Sequence, residues 1–399
     1  PRTTLIAAVL TGTSAWASVA LCSALGMVTV TAGTYLEVSV SPIIGTAIAY
    51  FGSKVVYDLS RDYAAAMRAG SYTLKSRLGV GGMGEVWRAE HQLLARPAAV
   101  KLIRRDAFEQ SPGAVEEAVE RFRREAHVTS LLRSPHTVQL YDYGVTDDGS
   151  FYYVMELLDG LDLDTLVKEY GPVPPARAIH FLMGVAASLA EAHANGLVHR
   201  DVKPANVYVC QYGLVSDFVK VLDFGLAKAQ RGGPAGEQFQ TLEEGIKGTP
   251  AFMSPEQIMG SAPVGPPTDI YALGCVAYWL LAGRLPFEDK SVLAVMAQHV
   301  TLPPPPPSKS SPTPLPPALE KLVFDCMAKE PKARPESMQV LHERLRLLAL
   351  EHPWDQERAA EWWRMHAPEV FSRRTPDPVS GKSGAQPAGL TSGWRSLSD

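Results

Sequence analysis

His199-Arg200-Asp201-Val202-Lys203-Pro204-Ala205-Asn206, followed seventeen residues after Asn206 by Asp223-Phe224-Gly225, decides how this chain is read. Moving a phosphoryl group needs a carboxylate that orients the attacking hydroxyl, and oxygen ligands that hold a divalent metal on the phosphates. Asp201, Asn206 and Asp223 supply such a set in a fixed order. Both strings, in this order and downstream of the two features described next, do not arise by chance.

Upstream, Gly79-Val80-Gly81-Gly82-Met83-Gly84 lies between two runs of strand character. Glycines let a hairpin backbone press close to phosphates because no Cβ holds it off. Alone the string fits a plain flexible hairpin, but a strand rather than a helix follows it, which argues against a dinucleotide-binding crossover. Lys101 sits seventeen residues after Gly84, inside the apolar run Ala98-Ala99-Val100-Lys101-Leu102-Ile103. A lysine there either reaches solvent from an edge strand or has anionic partners. Glu125 can supply a carboxylate, and Glu116, Glu117 and Glu120 compete for that role on sequence alone.

Residues 72–103 and the runs 138–143 and 151–155 read as strands, 113–133 as a helix, and the chain from Ala176 onward as mostly helical. The expected fold class is α+β, a small β-rich lobe followed by a larger helical one. The 399 residues suffice for two or three domains, and 46% hydrophobic with 20% charged residues suits a folded protein with a large core. A net charge of −4, with Arg and Lys scattered, argues against a nucleic-acid partner. The four cysteines show neither a C-x-x-C pair nor zinc-finger spacing, so they read as small buried hydrophobes in a reducing compartment. The proline-rich stretch 303–317 reads as a rigid, extended connection.

These residues resemble the eukaryotic-like (Hanks-type) Ser/Thr protein kinases over about residues 72–350, and Leu78-Gly79-Val80-Gly81-Gly82-Met83-Gly84-Glu85-Val86 resembles the bacterial branch in particular. The resemblance implies the two-lobed protein-kinase fold, with an N-lobe over 72–158 and a C-lobe over 159–350. It also implies transfer of the γ-phosphoryl of ATP to serine or threonine hydroxyls of other proteins. Gly79, Gly81 and Gly84, with Val80, Gly82 and Met83, then form the lid over the phosphates. Lys101 holds the α- and β-phosphates and pairs with Glu125. Asp201 is the base or orienter of the substrate hydroxyl, Lys203 steadies the γ-phosphoryl, and Asn206 and Asp223 bind Mg2+, with Mn2+ as a substitute ion. Met155 stands as gatekeeper, Glu156-Leu157-Leu158 as the hinge that meets adenine, and Val86 and Ala99 as the roof of the adenine pocket.

Further matches carry structural roles. Glu256 of Ser254-Pro255-Glu256 is expected to pair with Arg334, and Asp269 to brace the catalytic loop. Lys203 and Thr249 fit Ser/Thr specificity, and Arg200 is a cation for a phosphorylated activation segment. Its candidate acceptors are Thr241, Thr249 and Ser254, with Thr241 favoured. Ser254 stands where the family has Ala, Tyr208 where it commonly has Leu beneath adenine, and Thr129 at a spine position that is usually apolar. None of these departures removes a chemical group, so a membrane-bound pseudokinase scaffold is the lesser alternative.

Residues 3–36 carry no charge, Glu37 interrupts, and 38–53 are uncharged again. A spanning helix needs about 20 mostly apolar residues, so 1–57 is expected to hold a transmembrane helical hairpin. Arg2 before it and Lys54, Arg61 and Arg68 at or after its end put both ends in the cytoplasm by the positive-inside rule. The expected location is the cell inner membrane with the kinase domain cytoplasmic. Ala15-Trp16-Ala17 has the form of a leader-cleavage site, but export would part the domain from its ATP. Residues 58–71 read as a linker helix ending near Gly70, and 351–399 as a C-terminal extension that is disordered after about 375. Within it, 354–366 reads as a short amphipathic helix suited to docking on the large lobe. Expected partners are protein substrates, the membrane, and a second copy of the chain for phosphorylation in trans.

Overall fold

The structure is a computed structural model that describes residues 21–22, 24–25, 68–81, 84–103, 123–124, 126–146, 151–224, 250–260 and 264–368. The chain divides into two compact units, one of residues 1–105 and 142–155, the other of 106–141 and 156–399.

The first unit is organised by a six-stranded sheet in the order β1 (Arg68–Ala69), β2 (Tyr72–Gly81), β3 (Gly84–His91), β4 (Pro97–Ile103), β6 (Phe151–Glu156), β5 (Leu140–Val145). Pairing from β1 to β4 is antiparallel and follows chain order. β-Branched and aromatic residues fill β6, whose six residues are all buried. Arg68 pairs with Thr73 and Ala69 with Tyr72, which corrects the linker helix expected to run to Gly70. Gly70 turns the chain at φ +57, and a Cβ there would collide with the Tyr152 hydroxyl. That left-handed turn lets Ala69 and Tyr72 both bury, which a continuing helix would prevent.

The second unit is built around two helices, α2 (Pro175–Ala194) and α4 (Pro266–Ala282). Helix α4 is apolar on nearly all sides and correspondingly buried, as expected of a helix enclosed by others. It starts on prolines at its first turn and stops at Gly283, φ +66. Around this pair lie α1 (Leu163–Tyr170), α3 (Pro255–Met259), α5 (Val292–Thr301), α6 (Pro317–Cys326), α7 (Met338–Glu351) and α8 (Gln356–His366). A three-stranded antiparallel sheet joins β7 (Gly160–Asp162) to β8 (Val207–Tyr212) and β9 (Val215–Val221), and the last two fall within the stretch read as mostly helical from Ala176 onward. Gly160 is required there, since a Cβ would meet the Val209 carbonyl oxygen.

Of the helix expected over 113–133, residues 123–124 and 126–131 are helical and 132–133 lie past its end, and the rest lies outside the described residues. Cys210, Cys275 and Cys326 are free and buried, and burial pushes the thiols of Cys210 and Cys326 up to about 12. Among the described residues no helix is long and apolar enough to cross a membrane. The hairpin expected over 1–57 lies outside them apart from Leu21, Cys22, Ala24 and Leu25, where Leu25 N donates to Leu21 O at 3.0 Å. The tail after 368 also lies outside.

Candidate active site

In the first unit the glycine-rich segment is the β2–β3 hairpin, with Gly81 opposite Gly84 across its end. Gly84 is held at φ +155, and a Cβ would strike the Leu102 carbonyl. Protein packing therefore demands this glycine, whereas a Cβ on Gly79 would meet open space. Val80 is 65% exposed. Val86 lies directly opposite Lys101 and Arg88 opposite Ala99, without a register break in between. Side chains alternate along a strand, so Gly84, Val86, Ala99 and Lys101 share one face of the sheet. Lys101 Nζ stands 5.7 Å from the Tyr153 ring centroid. Gly82, Met83 and Glu125 lie outside the described residues.

In the second unit the loop after α2 is held from beneath by Asp269 of α4. Its carboxylate accepts from the His199 and Arg200 amides, both at 2.8 Å, and contacts His193 Nε2 at 2.7 Å. Arg200 adopts φ +64, a conformation L-residues rarely take, and the brace fixes its peptide there. His199 Nε2 donates to Leu222 O at 2.8 Å while Nδ1 accepts from the Asp201 amide at 3.3 Å, which sets a neutral Nε2–H tautomer.

Above the brace, Lys203 Nζ donates to Asp201 Oδ2 at 2.9 Å, and Asn206 Nδ2 donates to Asp201 O at 2.8 Å and to Oδ2 at 3.2 Å. Leu222 N donates to Asn206 O at 2.9 Å, tying the turn of Asn206 to the residue before Asp223. Asp223 is half-buried at φ +55. Phe224 is buried with its ring centroid 4.9 Å from that of His199. With its Nδ2 committed to Asp201, Asn206 offers its Oδ1 as an oxygen donor. Together with the Asp223 carboxylate, that donor set suits a hard divalent cation.

Met155 is buried and Leu158 half-buried. Glu156 directs its side chain into a buried ion pair, accepting from Lys220 Nζ at 2.6 Å and from the Gln139 amide at 2.8 Å. Lys220 was missed by sequence reasoning. Its one signal is its place in the alternating run Val219-Lys220-Val221, where a buried lysine needs a carboxylate. Tyr208 is half-buried beside it, opposite Lys220 in the β8–β9 pairing, and burial raises its phenol. Thr129 is buried, and its hydroxyl finds no partner among the described residues.

Arg334 meets Glu256 through both oxygens, at 2.7 and 2.8 Å, and Thr268 Oγ1 adds a third donor at 2.9 Å. Burial would raise the Glu256 carboxyl, but the Arg334 bonds win and hold it below its ordinary range. Ser254 is fully buried as the N-cap of α3, so it does not offer an accessible hydroxyl as a phosphate acceptor. Thr241 and Thr249 lie outside the described residues.

A carboxylate, a lysine and a carboxamide joined within hydrogen-bond distance, on a loop braced through its own amides, are the parts from which a protein kinase builds its catalytic loop. Residues 72–345 match the protein kinase domain family, and the chain belongs to it. The family binds ATP and uses a divalent metal. The chain is 35% identical over 280 residues to the serine/threonine-protein kinase pkn3 of Myxococcus xanthus, covering 69% of this chain and 49% of that one. It is 41% identical over 267 residues to the serine/threonine-protein kinase PknD of Mycobacterium tuberculosis, covering 66% and 38%. The chain thus spans about half or less of the length of these curated relatives. The solved kinase domain of Mycobacterium tuberculosis PknI superposes with a TM-score of 0.54 at 25% identity, over 70% of this chain and 96% of that one.

Proposed function

We propose that this chain is a Ser/Thr protein kinase that moves the γ-phosphoryl of ATP onto serine or threonine hydroxyls of proteins, with Mg2+ as its working metal. The arrangement of Asp201, Lys203 and Asn206 around one carboxylate carries the reading. Asp201 orients the incoming hydroxyl and takes its proton, with its half-buried carboxylate held by Lys203 and Asn206. Lys203 steadies the transferred group. Lys101 holds the α- and β-phosphates beneath the lid of Gly79, Gly81 and Gly84, paired with Glu125. Asn206 and Asp223 hold the metal, which offsets charge that develops on the phosphate oxygens. The retention of Lys101, Asp201 and Asp223 speaks against a scaffold that has lost catalysis.

The domain so proposed runs from 72 to about 350 and sits on the cytoplasmic side of the cell inner membrane, anchored by a hairpin over 1–57. The uncharged run 3–36 supports this, as do Leu21 and Leu25, one helical turn apart and 62% and 64% exposed. Activation by a second copy, with Thr241 as the acceptor, completes the reading. Incubation of the full chain with labelled ATP, Mg2+ and a basic protein substrate should give phosphoserine or phosphothreonine. Asp201→Ala should lower transfer by roughly 10²–10⁴-fold while nucleotide still binds. Bound nucleotide without transfer by the wild-type chain would refute the enzyme.

A further inference from the structure

Residues 352–367 lie beyond the kinase-family match, which ends at 345, and they close on the second unit around one carboxylate. Asp217 is fully buried and accepts four hydrogen bonds: from Arg177 Nε and Nη2 at 2.8 Å, from Trp354 Nε1 at 2.8 Å and from Trp363 Nε1 at 2.7 Å. The Arg177 guanidinium, itself buried, stands 3.8 Å from the Trp362 ring centroid. Gln356 treats the edge of β9 as a neighbouring strand would, its Oε1 accepting from Ser216 N at 2.8 Å and its Nε2 donating to Ser216 O at 3.1 Å. Tyr170 of α1 donates to His366 O at 3.2 Å at the far end of α8.

The contacts to Ser216 and Asp217 converge on an irregular point of the hairpin. Cys210 pairs with Phe218, but Tyr212 pairs with Val215, so Ser216 and Asp217 together stand opposite Gln211. That is a β-bulge, and Asp217 occupies it at φ +58. Sliding β9 along β8 would break all four carboxylate bonds at once and leave two charges buried and mispaired. The register matters because β8 begins directly after Asn206 and β9 ends two residues before Asp223. A slip of one residue moves a strand by about 3.3 Å and turns every side chain to the opposite face.

We propose that residues 352–367 are a clasp whose Trp354 and Trp363 pin the β8–β9 register and so set Asn206 and Asp223 against one another. The two tryptophans are positioning residues, and the naming of Asn206 and Asp223 as the metal pair rests on the kinase reading above. On this account the working domain extends to residue 367 instead of stopping at the family boundary. The sequence carries the requirement at a distance: an Arg at 177, an Asp at 217 and indoles at 354 and 363.

The test uses the full chain with Trp354→Phe, Trp363→Phe and both together, which remove the indole donors and keep a smaller aromatic ring, so that any loss from the vacated volume shows in the melting temperature and not in the Mg2+ dependence. Two quantities are read: amide hydrogen exchange over 207–221, and the Mg2+ concentration that half-saturates binding of a fluorescent ATP analogue. In the double variant the exchange rate and the half-saturating Mg2+ should both rise by about tenfold, while affinity for the metal-free analogue holds. A lowered melting temperature, with Mg2+ dependence unchanged and faster exchange confined to 352–367, would reduce the clasp to a surface strap and overturn the proposal. Neither quantity is phosphoryl transfer. A wild-type chain that binds Mg2+ and nucleotide without transfer would therefore sink the kinase reading and leave the register pin standing.

Discussion

Two buried aspartates of the second unit do similar work with different donors. Asp269 and Asp217 are both fully buried, and both lock a backbone in the left-handed region, at Arg200 for the first and at Asp217 itself for the second. Asp269 does it with the main-chain amides of His199 and Arg200, and the His193 side chain adds a third contact at 2.7 Å. Asp217 does it with the side chains of Arg177, Trp354 and Trp363. An amide donor is present whatever residue occupies the position, whereas an indole or guanidinium must be specified. The bonds that lock the loop in the first device therefore tolerate sequence change at 199 and 200, and the second exists only in chains that carry all its donors.

The largest break of this comparison is Asp269→Ala. One buried and one partly buried amide lose their acceptor at a cost of about 1–3 kcal/mol each, and the Arg200 peptide loses the bond to its nitrogen. Stability should fall by about 4 kcal/mol in denaturant unfolding, and transfer by about a hundredfold, because the Asp201 carboxylate no longer sits where the hydroxyl arrives. Asp217→Ala should cost about 3 kcal/mol, mostly from the Arg177 cation left buried and alone. At saturating Mg2+ its transfer rate should stay within a few-fold of the wild type. The paired change Arg177→Met with Asp217→Asn removes both charges, suits the left-handed backbone and keeps one acceptor, and should recover part of the stability without restoring the Mg2+ affinity, which separates burial of charge from register.

Acid sharpens the contrast from the α4 side. Tyr271, two residues after Asp269, shares a hydrogen bond of 2.9 Å with His299 Nδ1. Burial, with the nearby Lys329 charge, lowers His299 from 6.5 to about 4. The unfolded chain thus takes up a proton near pH 6.5 that the folded chain refuses until about pH 4. Stability is fully present above that window and declines as pH falls through it, by about 3 kcal/mol in all. Lowered Glu256 adds a second loss only below the ordinary carboxylate range. His299→Gln should flatten the decline between those two pH values, as followed by thermal melts.

The catalytic loop was legible because its chemistry is contiguous: Asp201, Lys203 and Asn206 lie within six residues, and Asp223 follows one hairpin later. The braces at Asp269 and Glu256–Arg334 were legible only through family resemblance, since a lone Asp or Arg reads as an ordinary ion pair. The sheet of β7, β8 and β9 was lost among helices because its strands are short and one of them carries a bulge. Of the linker helix read over 58–71, residues 58–67 lie outside the described residues, and its end gives way at 68–69, where the left-handed Gly70 turns the chain into a strand pair. The 354–366 segment could be read as amphipathic and suited to docking, but not where it docks. Its indoles meet Asp217 across 137 and 146 residues, and no local pattern encodes a partner that far away. Lys220 is hidden for the same reason, with Glu156 sixty-four residues away.

The smallest expected effect lies at Ser254, and its size follows from the same distinction between main-chain and side-chain donors. Both Ser254 N and Ser254 Oγ donate to Gln257 Oε1, at 3.0 and 3.2 Å, and Gln257 Nε2 donates onward to Arg200 O at 3.2 Å. Truncation to Ala removes the longer bond and leaves the amide bond in place, so Ser254→Ala should cost only about 0.5 kcal/mol, the low end for loss of a cap. Gln257→Ala removes the acceptor of a buried amide and the tie to the strained Arg200 peptide. It should cost about 1.5 kcal/mol and lower transfer several-fold. Should Ser254→Ala prove the more damaging of the two in denaturant midpoints, the hydroxyl rather than the backbone carries the cap. Main-chain donors would then no longer explain why the braces around this loop tolerate a Ser in place of Ala.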